Sequence, residues 1–334
     1  MADWWGTMKP IVKPLRYSVV LVALWLPFAA MAADPGALIQ KMSRAMEELS
    51  YEGTFVYMHD GQVETVSVLH DYGDHGVREK LVSLNGEARV ILRDKESVTC
   101  IWPGSKSVTI SKSQPRTPFP RIGGDDDRLI KYYELETVGT DRVAGHDSQI
   151  VSLLPRDAFR YGYKLWIADP SGLLLRSAML DEQGHAVEQV MFTEVALLED
   201  VDDARFSVAD PGPDYSFRRV SDSKAPGQSG AGERIHFSGG SLPPGFEKLS
   251  EKIKPMPMDG NPVHHAVLSD GVATVSVYVE LVDPEQAHEA YHGETSMGAV
   301  HAFARSLDAA YVTAVGEAPA QTVRAIAEAV SLQP

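Results

Sequence analysis

Tyr51 to His70 reads YEGTFVYMHDGQVETVSVLH, and its pattern decides the fold. Tyr51, Gly53, Phe55 and Tyr57 share one parity. After Asp60-Gly61 the alternation resumes, with Val63, Thr65, Ser67 and Leu69 on one face and Glu64, Val66, Val68 and His70 on the other. A period of two is that of a strand, and Asp-Gly between two such runs signals a tight hairpin turn. Downstream, Val77 to Leu84, Ala88 to Leu92 and Val98 to Trp102 repeat the pattern, with turns at Gly73-Asp74, Asn85-Gly86 and Pro103-Gly104. Ser111 to Asp127, with Pro115, Pro118, Pro120, Gly123-Gly124 and three aspartates, reads as a long loop. Strands resume at Tyr133 to Val138, Ser148 to Leu154, Gly162 to Ala168, Leu173 to Asp181 and Val187 to Val195. Upstream, Leu38, Met42, Ala45, Met46 and Leu49 recur at helical spacing after Asp34-Pro35. About ten or eleven antiparallel strands form a sheet large enough to curl into a barrel or an open half-barrel, with the helix covering an apolar interior. The fold class expected is α+β.

At Ser221 to Glu233, SDSKAPGQSGAGE, Ser, Gly, Pro and charge replace apolar periodicity. Residues 219–233 read as a linker between a larger domain, 33–218, and a smaller one, 234–334. In the smaller domain His264 to Ser269 and Ala273 to Val282 alternate around Asp270-Gly271. Val300 to Ala304 and Ala309 to Val315 suggest further strands, and Ala320 to Val330, bounded by Pro319, a closing helix. This is a small α+β unit, too limited for a large ligand chamber. Its expected use is a docking face for the larger domain, a partner or a second copy of itself, so a homo-oligomer is among the expected assemblies.

At the N-terminus Lys9, Lys13 and Arg16 precede the apolar run Val19 to Phe28, and Ala30-Met31-Ala32 offers an A-x-A cleavage site. Residues 1–32 therefore read as a secretory signal peptide; the run is much shorter than the roughly 20 residues needed to span a bilayer. The formal net charge of −15 becomes −17 once three basic residues and Asp3 are removed with it. An acidic surface argues against nucleic acid, which needs clustered Lys and Arg, and favours a partner with basic patches. Cys100 is the single cysteine, so no intramolecular disulfide is available.

One motif points to catalysis. His288-Glu-Ala-Tyr-His292 matches H-E-x-x-H, in which two imidazoles one helical turn apart bind zinc and the glutamate acts as base. Its context is poor: Pro284 and Gly293 leave room for about two helical turns, position 295 is Thr, and Glu317 is a third ligand only by distance along the chain. His264 and His265 on one strand point to opposite faces. The Asp125 to Asp127 run lacks the spacing of a calcium loop. No Walker loop, dinucleotide fingerprint or G-x-S-x-G occurs. The expectation is a binding protein and not an enzyme, with no cofactor and no metal.

The runs Tyr51 to Tyr57, Arg78 to Asp94 and Tyr161 to Gly184, in that order and followed by a linker and a small domain, resemble the MucB/RseB family over essentially the whole chain after residue 32. The resemblance implies a periplasmic protein whose larger domain is folded like the LolA-type lipoprotein carriers, an unclosed β-barrel with an apolar cavity. It also implies a partner, the periplasmic region of a MucA/RseA-type anti-sigma factor, held between the two domains and shielded from the first regulated protease. A lipid or lipopolysaccharide signal releases it, freeing the envelope-stress sigma factor. A periplasmic lipid or lipoprotein carrier is the alternative. If one face of each strand lines the interior, Phe55, Tyr57, Trp102, Leu165 and Phe192 are the candidates for the cavity wall, against the plainer reading that they fill the core.

Overall fold

The computed structural model describes residues 34–112, 119–120, 122, 127–208, 211–220, 234–237, 242–255, 262–281, 292–307 and 310–333. The signal-peptide reading, residues 221–233 of the linker read at 219–233, most of the 111–127 loop and the first four residues of the H-E-x-x-H motif fall outside them; Arg219 and Val220, read as linker, lie at the end of a strand. Residues 33–334 make one compact unit.

Helix α1, Pro35–Glu48, starts where the sequence says it should. Asp34 accepts a hydrogen bond from Gly36 N at 3.2 Å, and Pro35 fills a position whose N–H would have no partner. Its Leu38, Ile39, Met42 and Ala45 are buried.

Strands β1, Tyr51–His59, and β2, Gln62–Gly73, form the expected hairpin. The chain continues through β3, Gly76–Ser83, β4, Val90–Arg93, β5, Ser97–Trp102, and β6, Ser107–Lys112, each pairing with the one before. After the short helix α2, Asp127–Tyr132, a second meander runs through β7, Tyr133–Val143, β8, His146–Pro155, β9, Gly162–Ala168, β10, Leu174–Leu180, and β11, Ala186–Leu197. Pairing of β11 with β1 joins the two meanders. Among the described residues the sheet has twelve strands and stays open, with β7 at one edge and β12, Ser216–Val220, at the other. β12 is parallel to β6, and all five of its side chains are exposed. A strand without a buried face carries no hydrophobic signal, so the alternation in the sequence does not mark it.

The inward face of β1 is the one read from the sequence: Tyr51 and Phe55 are buried, and Gly53 has no room for a Cβ against Glu194 O and Phe192. Phe55 sits opposite Phe192. Phe119, from the 111–127 segment, stacks on Phe192 at 5.2 Å and meets Phe55 edge-on at 5.5 Å. That segment therefore supplies core residues, Phe119 and Ile122, as well as loop. Each fully buried large apolar side chain contributes about 1.5–3 kcal/mol. On the outer face a 3-10 turn at Asp203–Phe206 is clamped across β3: Arg78 Nη1 donates to Asp203 at 2.6 Å, and Lys80 Nζ donates to the carbonyls of Arg205 and Ser207, each at 2.9 Å.

The smaller part has a six-stranded antiparallel sheet among the described residues. Its strands are β14, Glu247–Pro255, β15, Pro262–Ser269, β16, Thr274–Leu281, β17, Gly293–Met297, β18, Val300–Leu307, and β19, Ala310–Gly316. Helix α3, Ala320–Glu328, packs Val323, Ile326 and Ala327 against Val275, Val277, Val312 and Ala314 in a second core. A two-stranded ladder of β13, Arg234–Phe237, and β20, Val330–Gln333, lies beside it.

Candidate functional site

Helix α1 does not close the concave face completely. Between it and strands β1 to β4 lies a cavity of about 660 Å³, within the range that holds a drug-sized ligand or an acyl chain. Met42 and Met46 from α1, Phe55 from β1, Val68 from β2, Leu81 from β3, and Phe119 and Ile122 make its apolar part. The unbranched methionines give this wall an adaptable surface.

Strand register builds the polar part. Tyr51 pairs with His70, His70 with Glu79, and Glu79 with Arg93, so one row of side chains runs along the inner face across β1 to β4. The rings of Tyr51 and His70 stack at 4.8 Å, His70 Nδ1 lies 3.3 Å from Glu79 Oε1, and Arg93 Nη1 donates to Glu79 Oε2. His70, Glu79 and Arg93 are thus tied into one chain of contacts, as burial favours, although the Nε of Arg93 is buried without a hydrogen-bond partner. Burial and the charge of Glu79 push the Tyr51 phenol well above its ordinary range, so it stays neutral. Asp94 and Lys95 lie at the same end of the cavity. The result is a chamber with an apolar flank under the helix and a charged row beside it, a shape suited to an amphiphile.

Of the residues singled out from the sequence, Phe55 lines this cavity, and Tyr57 lines a smaller pocket beside it. Leu165 and Phe192 are enclosed in the core, and half-buried Trp102 lies on β5 among neither set of lining residues. Alternation assigns a residue to a face, but not to the stretch of that face left uncovered by the helix. His70, Glu79 and Arg93 escaped the reading because charged strand residues normally mark a solvent face.

Where the two sheets meet, the residues between β8 and β9 are held by the smaller part. Arg160 Nη1 lies 3.0 Å from Asp270 Oδ2, Nε lies 2.9 Å from Asp157 Oδ1, and Nη2 donates to Pro244 O at 2.5 Å. The guanidinium sits 4.4 Å from the centroid of the Tyr132 ring. Thr322 Oγ1 donates to Phe159 O at 2.7 Å, and Tyr161 donates to Ala299 O at 3.3 Å while lying 3.1 Å from His301 Nε2. Burial and surrounding carboxylates push the Tyr161 phenol up to about 12. His292, the last residue of the H-E-x-x-H motif, lies with Nε2 2.9 Å from Ser306 Oγ.

Comparison with known proteins fits this architecture. The sequence pattern of the MucB/RseB N-terminal domain matches residues 34–209, and that of the MucB/RseB C-terminal domain matches 232–331. The chain belongs to the MucB/RseB family. The sigma-E factor regulatory protein RseB of Salmonella typhimurium is 29% identical over 329 residues, covering 96% of this chain and 99% of that protein. The sigma factor AlgU regulatory protein MucB of Pseudomonas aeruginosa is 29% identical over 309 residues, covering 90% of this chain and 91% of that one. Among solved structures, the complex of Pseudomonas aeruginosa MucA and MucB superposes with a TM-score of 0.69 at 25% identity, covering 90% of this chain and all of the matched chain. A structure of MucB superposes with a TM-score of 0.62, also at 25% identity, covering 90% and 98%. In this MucB/RseB member the described residues include no helix long and apolar enough to cross a membrane.

Proposed function

We propose that this MucB/RseB member is a periplasmic regulator that binds the periplasmic region of a MucA/RseA-type anti-sigma factor. Binding shields that region from the first regulated protease, and the sigma factor stays restrained. The observation that carries the reading is the match of both MucB/RseB domain patterns in one chain whose fold follows that of MucB in its complex with MucA. Residues 1–32 are the export signal, cleaved after Ala32. The cavity under α1 receives the lipid or lipopolysaccharide that releases the partner, its methionine and phenylalanine wall taking acyl chain and its charged row facing the headgroup.

Titration calorimetry of the purified protein against the periplasmic region of its organism's own anti-sigma factor, with and without a lipid amphiphile, tests the proposal. Saturable binding that weakens as amphiphile is added is expected. Tight amphiphile uptake without any partner binding overturns it in favour of a lipid or lipoprotein carrier, for which the same cavity suffices.

A further inference from the structure

Alternate residues of a strand share a face, and on the inner face of β1 to β3 the cross-strand pairs grade the large cavity from mouth to floor. Tyr72 opposite Val77 comes first, then His70 opposite Glu79, then Val68 opposite Leu81. Phe55 opposite Val66 comes last. Tyr72 is 46% exposed, and Asp94 and Lys95, which line the same end, are exposed as well, so this end is the mouth. Phe55, Phe119 and Ile122 are buried and close the floor. The charged row is thus a collar just inside the mouth, with apolar side chains below it.

The dimensions below the collar suit one hydrocarbon chain. From His70 to Val66 the strand advances about 13 Å. A zigzag chain gains about 1.2 Å per bond, a third of the rise of one extended peptide residue, so about a dozen carbons reach the floor. The volume agrees: 660 Å³, at the roughly 30 Å³ filled by a water-sized group such as a methylene, holds about 22 such groups. Two chains of that length would consume the space and leave none for a headgroup. Charge gives little selection at the rim, where Glu47 and Asp94 accompany Lys95.

The floor has an identifiable stop. Phe119 lines both this cavity and an adjoining pocket of about 140 Å³, in which Tyr57 donates to Glu188 at 2.9 Å. Its ring packs on Phe55 and Phe192, at 5.5 and 5.2 Å, and so separates an apolar space from a polar one.

We infer that the cavity is a socket for a single acyl chain of about 12 carbons, carried by a free fatty acid or a monoacyl lipid, and that Phe119 is the stop that sets its length. This rests on the amphiphile reading proposed above and narrows it: a whole lipid A, with its several chains, does not enter as a unit.

Calorimetric titration of the full chain with octanoate, decanoate, laurate, myristate and palmitate, each below its micellar concentration, tests it. Affinity should rise about fourfold per added methylene up to laurate and flatten beyond it. Lauroyl-lysophosphatidylglycerol should bind at least about tenfold tighter than dihexanoyl-phosphatidylglycerol, which carries the same number of acyl carbons on two chains. Phe119→Ala should move the break to chains at least about two carbons longer, because it removes the ring and joins the adjoining pocket, and Phe119→Leu should move it less. The break is a comparison within one protein, so a general loss of stability does not shift it. Tighter binding of laurate than of the lysolipid identifies a free fatty acid as the source, and the reverse a membrane phospholipid; either supports the single chain. Affinity that climbs unbroken through palmitate, a break unmoved in Phe119→Ala, or equal binding of the two-chain lipid overturns the inference and leaves the amphiphile reading standing. Failure of every amphiphile to bind overturns both.

Discussion

Arg160 and Asp270, 110 residues apart in the chain, form an ion pair at 3.0 Å with both side chains fully buried. Asp270 also accepts from the N–H groups of Val272 and Ala273 through Oδ1, and Arg160 reaches Asp157 and Pro244 O with its remaining nitrogens. Removing one member of a buried pair leaves an uncompensated charge, which costs about 3–5 kcal/mol. Arg160→Ala and Asp270→Asn should therefore each lower the unfolding free energy by that amount in urea titrations, and the double variant by much less than their sum. A loss below about 1 kcal/mol, the scale of an ordinary surface change, would refute this account of the junction.

Gly245 lies beside that pair with φ +84°, and a Cβ there would come within 2.7 Å of Tyr132 Cζ, in the ring that stacks on Arg160. Gly245→Ala should destabilise by about 1–3 kcal/mol through overpacking and strain. In a Tyr132→Leu background the overpacking should shrink. Equal penalties in both backgrounds would leave the backbone as its sole source.

His301 meets Tyr161 at the same junction, and burial, only partly offset by Glu294, holds its imidazole below the ordinary value of 6.5. Because its folded-state pKa is depressed, the unfolded chain takes up the proton more readily. Its stabilisation is complete above about 6.5 and falls as pH drops through the lower folded value. Stability measured by urea unfolding should thus decline from pH 7 to pH 5 more steeply than in His301→Gln, which keeps a hydrogen-bonding side chain without the titration. Parallel profiles for the two proteins would remove His301 as a source of the pH dependence.

The sheet was legible because half-buried strands alternate: the reading of Tyr51 to His70 carried over to β1 and β2 almost residue for residue. α1 was legible from its cap and its apolar stripe. β12 was not, since an edge strand held by backbone pairing alone has no side-chain signature. Phe119 and Ile122 were hidden by their proline- and glycine-rich surroundings, although both are buried. Phe55 could be assigned to the interior but not to the cavity, because the wall depends on where α1 lies. Arg160 gave no signal, for its partners Asp157, Asp270 and Pro244 are gathered by tertiary structure.

Ser43, on α1 and half-buried, lines the large cavity without belonging to the apolar core. Ser43→Trp should place an indole in space that the amphiphile of the proposed mechanism needs, while leaving the packed positions Leu38, Ile39 and Met42 unchanged. Stability should change by less than about 1 kcal/mol, since no core contact is removed. Amphiphile affinity should fall at least about tenfold, or ~1.4 kcal/mol, and the anti-sigma region should bind as before but no longer be released by amphiphile. The decisive measurement is the partner titration repeated at saturating amphiphile. Release that persists in Ser43→Trp would move the signal's site away from this cavity, and loss of partner binding in the absence of amphiphile would show that the cavity wall itself belongs to the partner's interface.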